Sequence, residues 1–156
     1  MPTPRVYWDT CLFIDLLQRT PERIEILSEY IAEAQKGKLC LVTSAFTLAE
    51  VVKVGRALPE EDERIIRDFF ENPYILIQQL DRAVAEIARG IVRSHSHIKP
   101  PDAVHIASAV VAEAPTLLTY DREHLIPKSE LIGSPPLKIE EPQRLQIQRN
   151  LFTATD

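Results

Sequence analysis

The sequence predicts an α/β domain, a three-layer α/β/α sandwich built on a mainly parallel sheet of four to five strands. Two observations carry that prediction. Short apolar runs rich in β-branched and aromatic residues recur along the chain, and segments with helical spacing of apolar residues stand between them. Strands that alternate with helices place those helices on both faces of a parallel sheet, because parallel neighbours need a crossover connection. The length, 156 residues, suits one domain with a core large enough to hold without disulfides or metals.

Residues 5–9, with Val6-Tyr7-Trp8 running into Asp9, read as a buried first strand, and a short helix follows through Leu17. Thr20-Pro21-Glu22 reads as the start of a second helix, with Thr20 as N-cap and Pro21 in the first helical position. Ile24, Leu27, Ile31 and Ala34 give it an apolar face, and Gly37 ends it. Residues 39–42 form the second strand, after which Thr43 or Ser44 caps a helix reaching about Arg56. Pro59 opens another helix, whose early glutamates suit the helix dipole and which Asn72-Pro73 breaks. Residues 74–77 form the third strand. A helix from about Asp81 follows, with Val84, Ile87, Ala88 and Ile91 on one face. Pro100-Pro101 closes the next loop and opens a helix at Asp102, so rich in Ala and Val that it should be buried nearly all round. Pro115 stops it. Residues 116–119 form the fourth strand, ending near Asp121, and residues 137–140 a short fifth. The domain is expected over 1–140. A polar tail over 141–156 belongs to it or is loosely attached.

Apolar residues make up 45% of the chain, which is ordinary for a folded protein and argues against disorder. No apolar run approaches the roughly 20 residues needed to cross a bilayer, and no basic segment leads into a long apolar stretch at the start. Two cysteines, Cys11 and Cys40, make no disulfide framework. These features lead to the expectation of a cytoplasmic protein without a membrane association. The formal net charge of −5 argues against a protein that coats nucleic acid nonspecifically. It does not argue against an enzyme that cuts nucleic acid, since clustered carboxylates would account for much of the deficit.

Four acidic residues stand where the topology would gather them. In open α/β sheets, ligands bind beyond the carboxyl ends of the strands. Asp9 and Asp121 leave the first and fourth strands at that rim, Glu50 lies in the helix after the second strand, and Asp102 opens the helix before the fourth. Taken singly, each has a plain explanation as a cap, a solvated helix residue, a first-turn acid or a turn former. Together they form a set of like charges that repel unless a cation offsets them. A hard divalent ion suits such a set, Mg²⁺ or Mn²⁺, with oxygen ligands and retained waters. The absence of clustered Cys or His argues against zinc. A metal in such a site can activate water, orient a phosphate and stabilise a leaving oxygen, which is the chemistry of phosphodiester hydrolysis.

The segments Val-Tyr-Trp-Asp9-Thr-Cys-Leu-Phe-Ile-Asp-Leu-Leu, Leu-Ala-Glu50-Val-Val, Pro-Pro-Asp102-Ala-Val-His-Ile-Ala-Ser-Ala and Leu-Leu-Thr119-Tyr-Asp121-Arg-Glu-His-Leu occur in this order over about residues 5 to 140. In this they resemble the PIN-domain family, specifically its VapC-like branch of toxin ribonucleases from type II toxin–antitoxin pairs. The resemblance implies a Mg²⁺- or Mn²⁺-dependent endoribonuclease that hydrolyses RNA, is often a homodimer and is often held inactive by a small antitoxin. It assigns the catalytic and metal-binding roles to Asp9, Glu50, Asp102 and Asp121, with Thr119 matching the Ser or Thr commonly found two residues before the last Asp. One position departs: Cys11 stands where many members carry Asn, and a thiol is a poorer hydrogen-bond partner than an amide.

Other residues are weighed against plain readings. Lys53 and Arg56, following Glu50 on its helix, and Arg122, following Asp121, are candidates for phosphate contacts, with ordinary surface charge an equal or better account. His105 shares a helix face with Asp102 and reads first as a hydrogen-bonded structural histidine. Asp15 reads as a helix-surface charge, His95 and His97 as a solvated loop, and Cys40 as a small buried hydrophobe. Two rival functions stand beside the nuclease. The first is a catalytically weak or inactive PIN-fold module that binds RNA or protein, which Cys11 favours and the four retained carboxylates oppose. The second is a phosphohydrolase with Asp9 as nucleophile. Such enzymes usually carry a second Asp two residues on, where this chain has Cys11.

Overall fold

The computed structural model describes residues 2–54 and 59–145. Its centre is β1 (Arg5–Trp8), the middle strand of a five-stranded, all-parallel sheet. β2 (Cys40–Ser44) and then β3 (Ile75–Gln78) lie to one side, and β4 (Thr116–Leu118) and then β5 (Lys138–Glu140) to the other, giving the order β3-β2-β1-β4-β5. The chain thus builds outward from β1 through β2 to β3 and then returns to the far side of β1 with β4. This reversal opens a crevice between the carboxyl ends of β1 and β4, where open α/β sheets bind their ligands.

Side-chain alternation fills both faces of the sheet. Register pairs Tyr7 with Val42 and Leu117, and Trp8 with Leu118. Tyr7, Val42, Leu117 and Ile139 face one core, completed by α5 (Arg82–Ser94) and α6 (Pro100–Val111). Trp8, Leu41, Ile75 and Leu118 face the other, completed by α1 (Thr10–Gln18), α2 (Ile24–Gln35) and α4 (Pro59–Phe70). α3 (Ala45–Glu50) leaves the end of β2 toward the rim. The predicted three-layer sandwich is the architecture observed, with five strands and uniform polarity.

The predicted helix starts hold where a side chain is free to cap. Ser44 accepts from the Phe46 amide, and Asp81 from the Val84 amide. α2 differs. It begins at Ile24 rather than Pro21, because Thr20 donates its hydroxyl to Asp15 instead of capping, and Glu22 takes a positive φ of 70° that interrupts the helix. At the other end Gly37, with φ 72°, closes α2 as expected: its amide bonds to the Ala34 carbonyl and the Lys38 amide to that of Glu33.

α3 also departs from expectation, ending at Glu50 instead of running to Arg56. Val51 turns the chain extended and buries its side chain in the Trp8 core, and the β-branched pair Val51-Val52 is a poor continuation of a helix. On α5, Val84, Ala88 and Ile91 are buried while Ile87 is 40% exposed. Of the polar segment that begins at residue 141, the described part runs back over α2. There Arg144 pairs with Glu25 and Glu29, and Tyr30 donates to the Gln143 carbonyl. Among the described residues no helix is long and apolar enough to cross a membrane.

Candidate active site

Asp9 leaves β1 at the carboxyl rim and becomes the N-cap of α1, with extended backbone (φ −67°, ψ 157°). One carboxylate oxygen, Oδ1, accepts from the Thr10 amide at 2.8 Å, which is the capping bond. The other, Oδ2, accepts from the Thr119 hydroxyl at 2.8 Å and from the Cys11 thiol at 3.6 Å. Thr119 is fully buried just beyond β4, and its hydroxyl oxygen also accepts from the Asp121 amide at 3.1 Å. One hydroxyl therefore fixes the Asp9 carboxylate and the backbone of Asp121 together across the crevice. This is a physical reason for a Ser or Thr at this position. Asp121 Oδ1 in turn accepts from the amides of Glu123 and His124, at 3.1 and 2.9 Å, which shapes the turn after the strand.

Asp102 enters from the first turn of α6, half-buried. Its carboxyl is held above the ordinary range first by burial, then by the negative charges of Asp9 and Asp121. Three carboxyls from β1, α6 and the β4 exit thus share one field.

Glu50 reaches the rim in a different way. Its Oε1 accepts from the Thr10 hydroxyl at 2.7 Å and lies 2.8 Å from His105 Nε2. These contacts, the His105 bond first, lower its pKa against the opposing effect of partial burial. His105 is 2% exposed, one helical turn after Asp102 on α6. Its Nδ1 lies 2.7 Å from the Tyr7 hydroxyl, and its Nε2 lies 3.6 Å from Asp9 Oδ1. Tyr7 keeps its proton throughout the neutral range, because burial and then the Asp9 charge push its pKa far up. The Phe46 ring of α3 packs against His105, centroids 5.9 Å apart.

The predicted acids thus come to one rim as two groups, Asp9 being common to both. Among the described residues no three His, Cys, Asp or Glu side chains stand close enough to hold a metal ion as they are placed. The donor chemistry nevertheless fits a hard divalent cation. Every candidate ligand is a carboxylate oxygen, and the repulsion that lifts Asp102 is the kind a dication relieves.

The supporting candidates fare unevenly. Cys11 stands beside Asp9 and Thr119, and burial and then the Asp9 charge push its thiol up to about 12, so it stays protonated. Lys53 is exposed and lies beyond the end of α3, not on the helix that carries Glu50. Arg56 lies outside the described residues. Arg122 is exposed and its guanidinium is engaged by both oxygens of Glu141. Asp15, expected at the helix surface, is buried and paired with Arg23 at 2.7 Å.

Three residues near the site were not singled out by sequence reasoning. Thr10 and Tyr7 flank Asp9, and the period-two pattern of a strand aligns Tyr7 with Asp9, a signal that was available. Arg23 was not legible. Its guanidinium lies over the Tyr120 ring, 3.9 Å from the centroid, through a contact that only the tertiary fold creates.

Comparison with known proteins places this geometry in a family. Comparison with the curated proteins found no sequence match. Several solved structures share the fold at low identity. VapBC2 from Rickettsia felis, solved bound to a promoter DNA fragment, matches with a TM-score of 0.63 and 14% identity, over 88% of this chain and 97% of that one. VapC20 from Mycobacterium tuberculosis, described as a sarcin–ricin-loop-cleaving toxin, matches with a TM-score of 0.61 and 12% identity, over 76% and 92%. DNA-bound VapBC from Salmonella typhimurium matches with a TM-score of 0.57 and 19% identity, over 90% and 100%. The sequence pattern of the PIN domain matches residues 6–127. This chain belongs to the PIN-domain family.

Proposed function

We propose that this protein is a metal-dependent endoribonuclease and the toxin-like member of a toxin–antitoxin pair, acting in the cytoplasm. The observation that carries the reading is the Thr119 bridge. It ties Asp9 Oδ2 to the Asp121 backbone across the β1–β4 crevice, with the Asp102 carboxyl in the field of both.

Asp9, Asp102 and Asp121, joined by Glu50, would hold Mg²⁺ or Mn²⁺, which when bound supplies Lewis acidity toward water and the phosphodiester. The protein's own residues do the preparation. Thr119 and the Thr10 amide fix the orientation of Asp9, and the Asp121 turn presents its carboxylate at the same rim. Tyr7 and Cys11 stay protonated, so neither supplies an anionic nucleophile. Arg23, stacked on the Tyr120 ring and paired with Asp15, and Arg122, paired with Glu141, are both engaged cations near the β4 exit that could meet a phosphate of single-stranded RNA only by exchanging those partners. Two of the structures described above are VapBC assemblies, and they support a small protein partner. A homodimer is the expected assembly.

The test is cleavage of structured and unstructured RNAs by the wild type and by Asp9→Asn, each with Mg²⁺, Mn²⁺ or EDTA. Cleavage by the wild type alone, only with metal, and roughly a thousandfold or more above Asp9→Asn is expected. Equal cleavage by both would sink the site assignment. RNA binding without cleavage by the wild type would favour the binding-module reading.

A further inference from the structure

Glu50 is held at the rim by a chain of buried side chains that runs through His105 to Tyr7, and that chain has a direction. The Tyr7 hydroxyl lies 2.7 Å from His105 Nδ1, and taken as the donor of that pair it leaves the imidazole nitrogen as the acceptor. An imidazole that accepts at Nδ1 carries its own proton on Nε2. A carboxylate only accepts, so the 2.8 Å contact between Nε2 and Glu50 Oε1 is an N–H donated to the carboxylate. The Thr10 hydroxyl donates to the same oxygen from the other side. Both donors therefore hold Oε1, and among the described residues Oε2 receives no hydrogen bond.

We propose that Tyr7 and His105 are positioning residues: together they fix the tautomer that locks Glu50 by Oε1 and leaves Oε2 as the oxygen it presents to a divalent cation. The inference rests on the metal-site reading above and deepens it. Nothing in it requires His105 to touch metal or substrate. Its 2% exposure and the surrounding Tyr7 and Phe46 rings keep it beneath the rim. Partners of this kind commonly set ligand affinity by one or two orders of magnitude, because an unfixed carboxylate must be ordered when the ion arrives.

Two measurements on the metal-free protein test it. The first is the ¹⁵N spectrum of the His105 ring, where Nε2 is expected as the donor nitrogen and Nδ1 as the acceptor. A ring whose Nδ1 is the donor would overturn the assignment. The second is Mn²⁺ titration calorimetry of the wild type, Tyr7→Phe and His105→Gln, with melting curves alongside. Tyr7→Phe keeps the ring and removes only the donor. Roughly tenfold weaker Mn²⁺ binding is expected, with the Nε2 signature lost. His105→Gln keeps an N–H donor toward Glu50 and should bind Mn²⁺ within about threefold of the wild type, a rescue that a merely structural role would not give. Wild-type affinity in Tyr7→Phe overturns the positioning role and leaves the metal site standing. A wild type that binds no Mn²⁺ overturns both.

Discussion

Glu50 and Asp102 are carboxylates at the same rim, and their surroundings treat them in opposite ways. Glu50 ends α3 with two donors on one oxygen, and its pKa is lowered chiefly by the His105 bond. Asp102 starts α6, and its pKa is raised by burial and by two neighbouring negative charges. One side of the crevice is thus held by donors in the protein itself, while the other carries repulsion that His105 and His124 offset only in part. A rigid, prepaired ligand lowers the ordering cost of binding a cation, and the remaining repulsion supplies a driving force for binding one. The site combines both.

Breaking the satisfied side should have the largest effect. His105→Leu leaves the Glu50 carboxylate without its main partner and the Tyr7 hydroxyl buried without an acceptor. A loss of about 3 kcal/mol is expected, which is a fall of roughly 10 °C in the melting temperature for a chain of this size. A variant that melts within a degree or two of the wild type would show that the knot contributes nothing to the fold.

Relieving the other side should act with the opposite sign and less strongly. The raised pKa of Asp102 means that the folded state prefers it protonated. Its ionised form therefore costs stability that is absent below its unfolded range and appears as the pH rises through its folded value. Asp102→Asn is expected to raise the melting temperature in EDTA at neutral pH by a few degrees, the half-exposed position limiting the gain. That gain should shrink in acid, where wild-type Asp102 is already neutral. Mg²⁺ should raise the melting temperature of the wild type more than that of the variant. Glu50, with its pKa lowered, runs the other way. Its contribution is present above its unfolded range and is lost as the pH falls through its folded value. A metal-free stability profile that does not separate Asp102→Asn from the wild type near neutrality would contradict the contrast.

The smallest effect is expected at Arg122. It is fully exposed, and its bond to Glu141 fastens the turn after β4 from outside the crevice. Arg122→Ala should leave both the melting curve and Mn²⁺ affinity unchanged, as exposed ion pairs usually do. A clear loss of metal affinity would mean that the Asp121 turn depends on that surface pair and not on Thr119.

The outward shape of this contrast was legible in the sequence, and its interior was not. Asp9, Asp102 and Asp121 could be placed because strand ends and helix starts are visible as local patterns, and the topology of an α/β sheet says which rim they share. The five strands were visible for the same reason, each being a short run bounded by Pro, Gly or a polar turn. Sequence reasoning failed where a side chain had two choices of partner. Thr20 has the composition of an N-cap but bonds to Asp15, so α2 starts late. Val51 continues a run of helix-compatible residues but is drawn into the core, so α3 stops at Glu50 and Lys53 leaves the helix. The Tyr7–His105 contact spans 98 positions, and no local pattern announces it.

The bond between Thr119 and Asp9 spans 110 positions, and β1 finds its β4 partner only through residues 117 and 118. Synthesis delivers the two halves of the crevice apart in time, since β1 emerges more than a hundred residues before β4. A growing chain therefore carries Asp9 and Glu50 while still lacking Asp102 and Asp121, and the rim of four carboxylates is incomplete until the segment through residue 121 has been made. Fragments ending before Thr116 should accordingly bind no Mn²⁺ in calorimetry. On the nuclease reading proposed above, activity would begin only once that segment is made, and a restraining partner would be needed from then on.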